Sequence, residues 1–376
     1  MKQSTISRVF KKSEQWVKWL VLCSFFGLCK VEADNLLRGF KTTHFVSASN
    51  FAIESDLLPY GSLNGFLEVI SKEFKQYGLL HTLRNFQESL LYQESLLLSA
   101  EDGDIVWLYS KNLRDFFENT LDKLNKKIIV VCSGNPTFPE GYKFAREIDS
   151  YLSSENLIHL FIQNNNYRGE FQSKVTPIPL GLDYHTRLLS SFSLGKAIPK
   201  TPLQQEKDLK GIIKKLQNTT SRIGNKIFCD FSINNNGGNR FGDSRHEIVQ
   251  ILKKNEVVDL NSGFIDRTKV WKIKGQRAFD ISPSGSGADC YWTWEGLALG
   301  CIVITKTSFL DPLFEGLPVV IVDNYSEVTQ ENLQKWLKQY GDVFHNPSYR
   351  ERLTHKYWMD KIRKVQSDYR GKRSNS

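Results

Sequence analysis

The chain lacks several patterns that would indicate a metal-binding, repetitive or membrane-spanning protein. None of its six cysteines forms a C-x-x-C pair, so the common zinc-binding spacings are absent. No internal repeat occurs. The N-terminal apolar run, Trp19–Cys29, has 11 residues, whereas a helix needs about 20 residues to cross a bilayer. Four cysteines stand singly and are expected to be buried free thiols: Cys132, Cys229, Cys290 and Cys301.

The positive charge is concentrated at the two ends. The formal net charge is +9. Residues 1–18 carry five Lys/Arg against one Glu, and residues 350–373 carry nine Lys/Arg against three acidic residues, which leaves the body of the chain one charge below neutral. Because no nucleic-acid-binding motif accompanies this charge, we expect no nucleic-acid partner. The C-terminal excess predicts a solvated basic helix or tail, with contact to membrane or acidic glycan as the alternative.

The first 33 residues have the order of a secretory targeting segment. Five basic residues precede the run Trp19–Cys29, and Val31-Glu32-Ala33 places small residues where a signal peptidase cleaves. We therefore predict a signal peptide or signal anchor at 1–33, with membrane association through the N-terminus and a secretory-pathway or cell-envelope location. A basic amphipathic start that packs on the domain is the alternative.

Apolar strand-like segments alternate with amphipathic helical segments, which indicates an α/β fold with parallel sheets. The predicted strands are Gly103–Tyr109, Lys127–Ser133, Leu157–Gln163 and Val175–Leu180, followed by Lys226–Ser232, Cys301–Thr305 and Leu317–Val322. Serines, glycine and prolines separate the two sets. The prediction is an N-terminal domain at 34–190, a linker at 191–222, a C-terminal domain at 223–345, and a basic helix or tail at 346–376.

The stretch from Phe279 to Thr305, FDISPSGSGADCYWTWEGLALGCIVIT, is the most informative part of the sequence. It predicts a strand end, a Ser/Gly turn, a helix over about Cys290–Leu299, a stop at Gly300, and a second strand. Small residues in the turn allow a ligand to approach the backbone. The positive end of the helix dipole would face that turn, which suits a phosphate.

This stretch resembles the C-terminal signature of the exostosin-like glycosyltransferases, whose pattern is approximately F-x-x-S-P-x-G-x-G-x-D-C-x-R-x-W-E-x-x-x-x-G-x-I-P-I-V. Twelve positions match: Phe279, Ser282, Pro283, Gly285, Gly287, Asp289, Cys290, Trp294, Glu295, Gly300, Ile302 and Ile304. Trp292 replaces the usual arginine and Val303 the usual proline. If that arginine neutralises donor phosphate in relatives, either the charge comes from elsewhere in this chain or activity is reduced.

Two other segments are also similar to this group. Lys226–Ser232, followed by Arg240, resembles the strand and loop that open the donor domain, and Ile178–Thr186 resembles the segment that closes the acceptor domain. The resemblance covers roughly residues 100–340. It implies the GT-B architecture of two Rossmann-like domains with parallel sheets, flanking helices and a cleft between the domains.

The resemblance also implies which residues bind the donor. Glu295 matches the glutamate that accepts the ribose hydroxyls in many GT-B enzymes, whereas a helix-surface glutamate is the alternative. The other donor-binding candidates are Arg240, Arg277, Ser282, Gly285, Gly287 and Asp289. A salt bridge is the alternative for Arg240, and a surface charge is the alternative for Arg277. Structural roles are the more consistent ones for Asp289, as a helix cap, and for Trp294, as a packed indole. Arg245 is expected to be a structural charge, and Lys274 is expected to be a surface charge.

The catalytic residues should lie on the acceptor side. The earlier glutamate of retaining GT-B enzymes would fall at Gly287, so its absence favours inversion, which needs a general base. Asp183 and His185 are the candidates, although a turn also favours these residue types for structural reasons. The acidic segment Glu101–Asp104 resembles a D-x-D metal motif, but it precedes its strand and is interpreted as a solvated turn.

The sequence thus predicts an inverting, metal-independent glycosyltransferase without a cofactor. It would transfer a sugar from a nucleotide-diphosphate donor, with a UDP-sugar favoured, to a hydroxyl of a glycan or glycoconjugate. Two alternatives remain open. One is a catalytically silent protein that binds glycan or nucleotide sugar, and the other is a nucleotide-sugar epimerase of the same topology.

Overall fold

The computed structural model describes most of the chain beyond residue 97 and a few segments before it. The described residues are 43–47, 50–51, 54–57, 97–134, 138–139, 142–184, 202–216, 222–231, 233, 244–260, 265–285, 287–341 and 348–374. The predicted targeting segment, residues 1–33, lies outside them. Within the described part of the chain, no helix is both long and apolar enough to cross a bilayer.

The N-terminal half contains a four-stranded parallel sheet with the order β1-β2-β3-β4. Its strands are β1 Ile105–Tyr109, β2 Ile128–Ser133, β3 Leu157–Ile162 and β4 Val175–Pro177. All six residues of β2 are buried, as expected for a central strand covered on both faces. These strands fall inside the four segments predicted from apolar runs.

The C-terminal half contains two groups of parallel strands. β5 Ile227–Cys229 pairs with β6 Val258–Leu260, and the other group follows the order β7-β8-β9. Its strands are β7 Phe279–Ile281, β8 Ile302–Lys306 and β9 Val319–Val322. A parallel bridge between Ile223 and Arg277, just before β5 and β7, sets these two strands side by side in the same direction.

Helices connect the parallel strands. Those of the first half are α1 Ser110–Asp115 and α2 Tyr142–Leu152. α3 Pro202–Leu216 lies in the segment between the halves and packs against helices of the second half. Those of the second half are α4 Arg245–Lys254, α5 Arg267–Gly275, α6 Tyr291–Leu299, α7 Asp311–Phe314, α8 Gln330–Tyr340 and α9 His355–Ser374. A π-helical turn, Phe116–Thr120, and a 3-10 turn, Leu121–Lys123, continue α1. Parallel sheets flanked by helices in both halves confirm the predicted α/β class with two Rossmann-like halves.

One hydrophobic core is shared by the two halves. It joins buried residues of the first sheet, such as Phe161, with Leu209 of α3, Trp294 of α6 and Ile362 of α9. Separate clusters cover the outer faces of each half. The four cysteines are buried free thiols, as predicted. The shared core means that α6, the helix of the signature stretch, packs at the junction of the halves.

The basic C-terminal segment is a docked helix, so the expectation of a solvated tail is wrong for α9. Arg363 and Arg370 form ion pairs of 2.7 and 3.0 Å with Asp56 and Asp104 of the first half. Gln366 donates to the carbonyl oxygen of Gly103 over 2.7 Å. The acidic turn at 101–104, predicted to be solvated, is therefore a docking point for α9, because its carboxylates and carbonyls supply acceptors for basic and amide side chains.

Candidate active site at the junction of the two halves

The signature stretch forms the strand–turn–helix–strand unit that the sequence predicts. Cys290 precedes α6 in an extended conformation, and Gly300 ends the helix at φ 85°, a left-handed conformation that glycine adopts without strain. The Ser/Gly turn, residues 282–285 and 287–290 as described, follows β7 at the carboxyl end of the strand. Ligands bind at that end of parallel sheets in α/β proteins.

The amino end of α6 has no side-chain cap and no acidic residue in its first turn. The positive end of its dipole therefore faces the turn without a capping side chain, which favours an anion there. Asp289 does not cap α6, contrary to the expectation. Instead, its carboxylate accepts hydrogen bonds from the backbone N–H of Leu180 at 2.7 Å and from Trp294 Nε1 at 2.8 Å. Burial raises the pKa of Asp289 to about 7.

The small residues of the turn make room for neighbouring polar groups. The Ser282 hydroxyl accepts a hydrogen bond from Thr293 Oγ1 at 2.7 Å, so Ser282 is fixed within the protein. A Cβ on Gly285 would lie 2.9 Å from Nη2 of Arg245, and one on Gly287 would lie 2.7 Å from Nδ2 of Asn164. Glycine at these two positions allows an arginine and an asparagine to pack against the backbone of the turn.

Arg245 brings a buried cation to the signature turn. It is 1 % exposed, and its Nε and Nη2 both donate to the carbonyl oxygen of Ser284 over 3.2 Å. Its guanidinium carbon lies 4.9 Å from the ring centroid of Trp292 and 5.6 Å from that of Phe231. A positive charge therefore stands against residue 292, where the resemblance places an arginine.

Glu295 and Asp183, two predicted site residues, meet through an arginine that the sequence did not single out. Arg267 forms an ion pair with Glu295 Oε1, donates to the carbonyl oxygen of Asp183, and lies 3.7 Å from the carboxylate of Asp183. Trp271 Nε1 donates to Glu295 Oε2 over 3.1 Å. These four residues form the junction cluster, because Asp183 belongs to the first half and the others to the second.

The junction cluster is buried, and its two carboxylates influence the pKa of Arg267. Burial by itself lowers the pKa of Arg267, but the negative charges of Glu295 and Asp183 outweigh it and hold that pKa above its ordinary value. Glu295 is 5 % exposed and already has a partner on each oxygen. It is therefore not a helix-surface glutamate. Its contact with a ribose stays a prediction.

A second buried cluster lies under the sheet of the C-terminal half. Lys274 Nζ is 3.1 Å from Asp230 and 2.9 Å from Asp280, and we call these three residues the sheet cluster. Lys274 is 1 % exposed, so the expectation of a surface charge is wrong: it projects from the inward face of α5 toward the end of β5 and the middle of β7. Burial raises the pKa of Asp280 to about 6, although the positive charge of Lys274 acts in the opposite direction.

The remaining predicted residues lie elsewhere. Arg277 precedes β7, at the end of the strand opposite to the signature turn, and pairs with Asp259 at 2.7 Å. This position does not support the predicted contact between Arg277 and the donor phosphate. His185 and Arg240 lie outside the described residues. Among the residues that the structure describes, no group of three or more His, Cys, Asp and Glu side chains is arranged to hold a metal ion.

The carboxyl ends of the two sheets meet at the signature turn. Asn164 directly follows Gln163 after β3, and its Oδ1 accepts the backbone N–H of Asp289 at 2.7 Å. Together with the Asp289–Leu180 bond, this contact holds the turn against the first half. The arrangement thus places an uncapped helix start, a buried arginine, a carboxylate cluster and groups of both halves within one region.

No family model matches the chain, and no curated protein matches it. Solved structures do match. One is trehalose-6-phosphate synthase OtsA, with 14% identity, 82% of each chain covered and a TM-score of 0.39. A trehalose-6-phosphate structure from E. coli with bound UDP-2-fluoro glucose has 14% identity, 83% of each chain covered and a TM-score of 0.35. The UDP-forming α,α-trehalose-phosphate synthase of Burkholderia vietnamiensis has 10% identity, 78% of each chain covered and a TM-score of 0.35.

Proposed function

We propose that the chain is a nucleotide-sugar-dependent glycosyltransferase of the exostosin-like kind, acting on a hydroxyl of a glycan or glycoconjugate. The observation that carries the proposal is the signature turn, where the uncapped amino end of α6 and the buried guanidinium of Arg245 converge. A turn that offers N–H groups and a cation in a buried setting suits the diphosphate of a donor. The twelve-position match of this stretch supports the same assignment.

In this proposal, Arg245 takes the role that the resemblance gives to an arginine at position 292. Its guanidinium lies 4.9 Å from the Trp292 ring, so α4 delivers the charge that residue 292 lacks. As the glycosidic bond breaks, negative charge develops on the leaving phosphate. A preorganised guanidinium and helix N–H groups stabilise that charge, and they do so most effectively where water is excluded. The leaving phosphate is thus stabilised without a metal ion.

Glu295 is proposed to bind the ribose of the donor. A carboxylate has about four lone-pair positions, and the structure uses one for Arg267 and one for Trp271. Arg267 and Trp271 then orient the carboxylate, which accepts the ribose hydroxyls with its remaining lone pairs. Since a UDP-sugar is the favoured donor, uracil is the base expected beside this ribose.

The acceptor is proposed to bind on the side of the N-terminal half, where the segment with Asp183 and His185 supplies the general base for an inverting reaction. Asp183 is paired with Arg267 and would have to give up this contact to take a proton. Anomeric configuration of the product, measured by proton NMR from an α-linked donor, tests this part. A β-linked product is expected, and an α-linked product would refute inversion.

The experiment for the proposed function is a turnover assay on the full chain with UDP- and GDP-sugars and a panel of glycan acceptors. Release of nucleoside diphosphate that depends on acceptor, together with a sugar-extended acceptor in the mass spectrum, is the expected result. Binding without turnover would indicate a silent binding protein. Conversion of the donor to its epimer with no acceptor present would indicate an epimerase.

A further inference from the structure

Asn164 carries a buried amide group whose oxygen accepts a hydrogen bond and whose nitrogen has no partner among the described residues. The residue is fully buried and adopts φ 52°, in the left-handed region that asparagine tolerates better than most residues. Its Oδ1 accepts the backbone N–H of Asp289 at 2.7 Å, which fixes the oxygen and nitrogen positions of the amide. Nδ2 is buried and has no hydrogen-bond partner in the part of the chain that the structure describes.

The unpaired amide points at the signature turn. A Cβ on Gly287 would stand 2.7 Å from Nδ2, so the amide nitrogen lies directly against the backbone of Gly287. A buried hydrogen-bond donor without an acceptor costs free energy, and folded proteins therefore contain few such groups. Nδ2 therefore lies beside the turn to which the proposed ligand would bring acceptor oxygens.

Two independent features show what acceptor fits there. The amino end of α6 is uncapped and has no acidic residue in its first turn, and Arg245 brings its guanidinium to Ser284 from the other side of the turn. Each of these groups favours an anion, and the amide adds N–H donors without an acceptor of its own. An oxygen-rich anion is the ligand chemistry that satisfies all three.

We infer that Asn164 binds the diphosphate of the nucleotide donor through Nδ2 and is the contribution of the N-terminal half to that site. This inference rests on the proposed function. Because Gly287 covers the amide, a small shift of its backbone has to admit the phosphate oxygen, and glycine permits that shift at low cost. Asn164 belongs to the first half and the turn to the second, so a bound diphosphate would also bridge the halves.

The test variant is Asn164→Asp. Aspartate retains the oxygen that accepts the Asp289 N–H and tolerates a positive φ, but it replaces the N–H donors with an oxygen that repels phosphate. Asn165→Asp is the matched control, because Asn165 is also buried and its Oδ1 accepts the backbone N–H of Tyr167 at 3.0 Å. The control makes the same chemical change one residue away from the turn.

The measurement is calorimetric titration of the full-length wild type and both variants with UDP, GDP, uridine and guanosine. For the nucleoside diphosphate that binds, Asn164→Asp should weaken affinity at least about tenfold, through loss of a charge-assisted hydrogen bond and added repulsion. The affinity of the free nucleoside should stay the same, and Asn165→Asp should resemble the wild type.

Diphosphate affinity of Asn164→Asp equal to that of Asn165→Asp would overturn the inference while leaving the proposed function in place. If the wild type binds neither UDP nor GDP, the proposed function fails and the inference fails with it. Should Asn164→Asp not fold, as judged by circular dichroism, Asn164→Gly accommodates φ 52° and removes the amide. The same loss specific to the diphosphate is then expected of that variant.

Discussion

The junction cluster and the sheet cluster have the same arrangement of charges but connect different parts of the molecule. Each centres on a cation of α5, Arg267 in one and Lys274 in the other, and each cation faces two carboxylates. The two cations are seven residues apart, close to two helical turns, so they project from the same face of α5. Lys274 binds Asp230 and Asp280 within one half, whereas Arg267 links Glu295 to Asp183 of the other half.

The difference shows how α5 can both stabilise the C-terminal half and position residues of the candidate site. A compact ammonium between two carboxylates in a dry interior holds β5 and β7 together. A planar guanidinium, with several donors, can contact a carboxylate, a carbonyl and an indole ring at once. Arg267 does so with Glu295, the Asp183 carbonyl and the Trp271 ring, 5.1 Å away. The predictions below separate these two roles.

The largest effect is expected from Lys274→Met. This change keeps the length of the side chain but leaves Asp230 and Asp280 as a buried pair of acids, at a cost of about 3–5 kcal/mol in the free energy of unfolding. Urea unfolding measures it, with Lys269→Met on the exposed side of α5 as the control. A variant as stable as that control would mean that the sheet cluster does not hold the C-terminal half together.

The next effect is a pH dependence at the contact between the halves. The pKa of Asp289 is raised to about 7 by burial, above its unfolded value of about 3.9. The folded state therefore binds more protons between pH 4 and 7, so the stability contributed by this group is present below pH 4 and is lost as pH rises to 7.

Asp289→Asn should remove that pH dependence. The stability of the wild type relative to the variant is expected to fall by roughly 2–4 kcal/mol between pH 4.5 and pH 7.5. Urea unfolding of both proteins at the two pH values checks this. Parallel pH profiles of the two proteins would show that Asp289 titrates in the folded state as it does in the unfolded chain.

A smaller loss is expected from Arg267→Gln, about 2–3 kcal/mol in the free energy of unfolding. The Arg267 side chain is 18 % exposed, whereas the Lys274 side chain is 1 % exposed, so water can partly replace the lost contacts. Arg267→Lys keeps the positive charge but loses the planar guanidinium. Its free energy of unfolding should lie between those of the wild type and Arg267→Gln. If Arg267→Gln costs more than Lys274→Met, the ranking of the two clusters is wrong.

The smallest effect concerns the ring beneath Arg245. Trp292→Ala removes a cation–π partner worth about 0.5–1 kcal/mol, which is about two- to fivefold in the dissociation constant of the nucleoside diphosphate. Trp292→Phe keeps an aromatic face and should retain most of the affinity. Equal affinity of the alanine variant and the wild type in calorimetry would show that the ring does not position Arg245.

The local features of the fold could be predicted because they depend on neighbouring residues. Apolar runs located most of the strands, although β6, Val258–Leu260, was not among those predicted. Gly300 marked the end of α6 because a residue suited to φ 85° is needed there. Helix starts depend on neighbouring residues in the same way: Ser244 and Thr329 accept N–H bonds from Glu247 and Asn332 at the starts of α4 and α8, as helix-capping residues do. The signature turn could be predicted for the same reason, because its small residues and the helix after it are consecutive in the sequence.

The contacts that assemble the site could not be predicted, because they join distant positions. Arg267 contacts Asp183, 84 residues away, and Asn164 contacts Asp289, 125 residues away. No spacing rule links such pairs. Lys274 illustrates a second limit: a lysine on a helix is solvated by default, and only the two acids brought beside it by β5 and β7 make its burial favourable.

The most direct test of the central claim is thermal-shift titration of the full-length chain with UDP and GDP, alongside Arg245→Gln and Glu295→Gln. A ligand at 100 times its dissociation constant should stabilise the folded state by about 2.7 kcal/mol. One nucleotide is expected to raise the midpoint of the wild type, with the response reduced in both variants. A folded wild type that responds to neither nucleotide, or variants that respond as it does, would contradict a donor site at the signature turn.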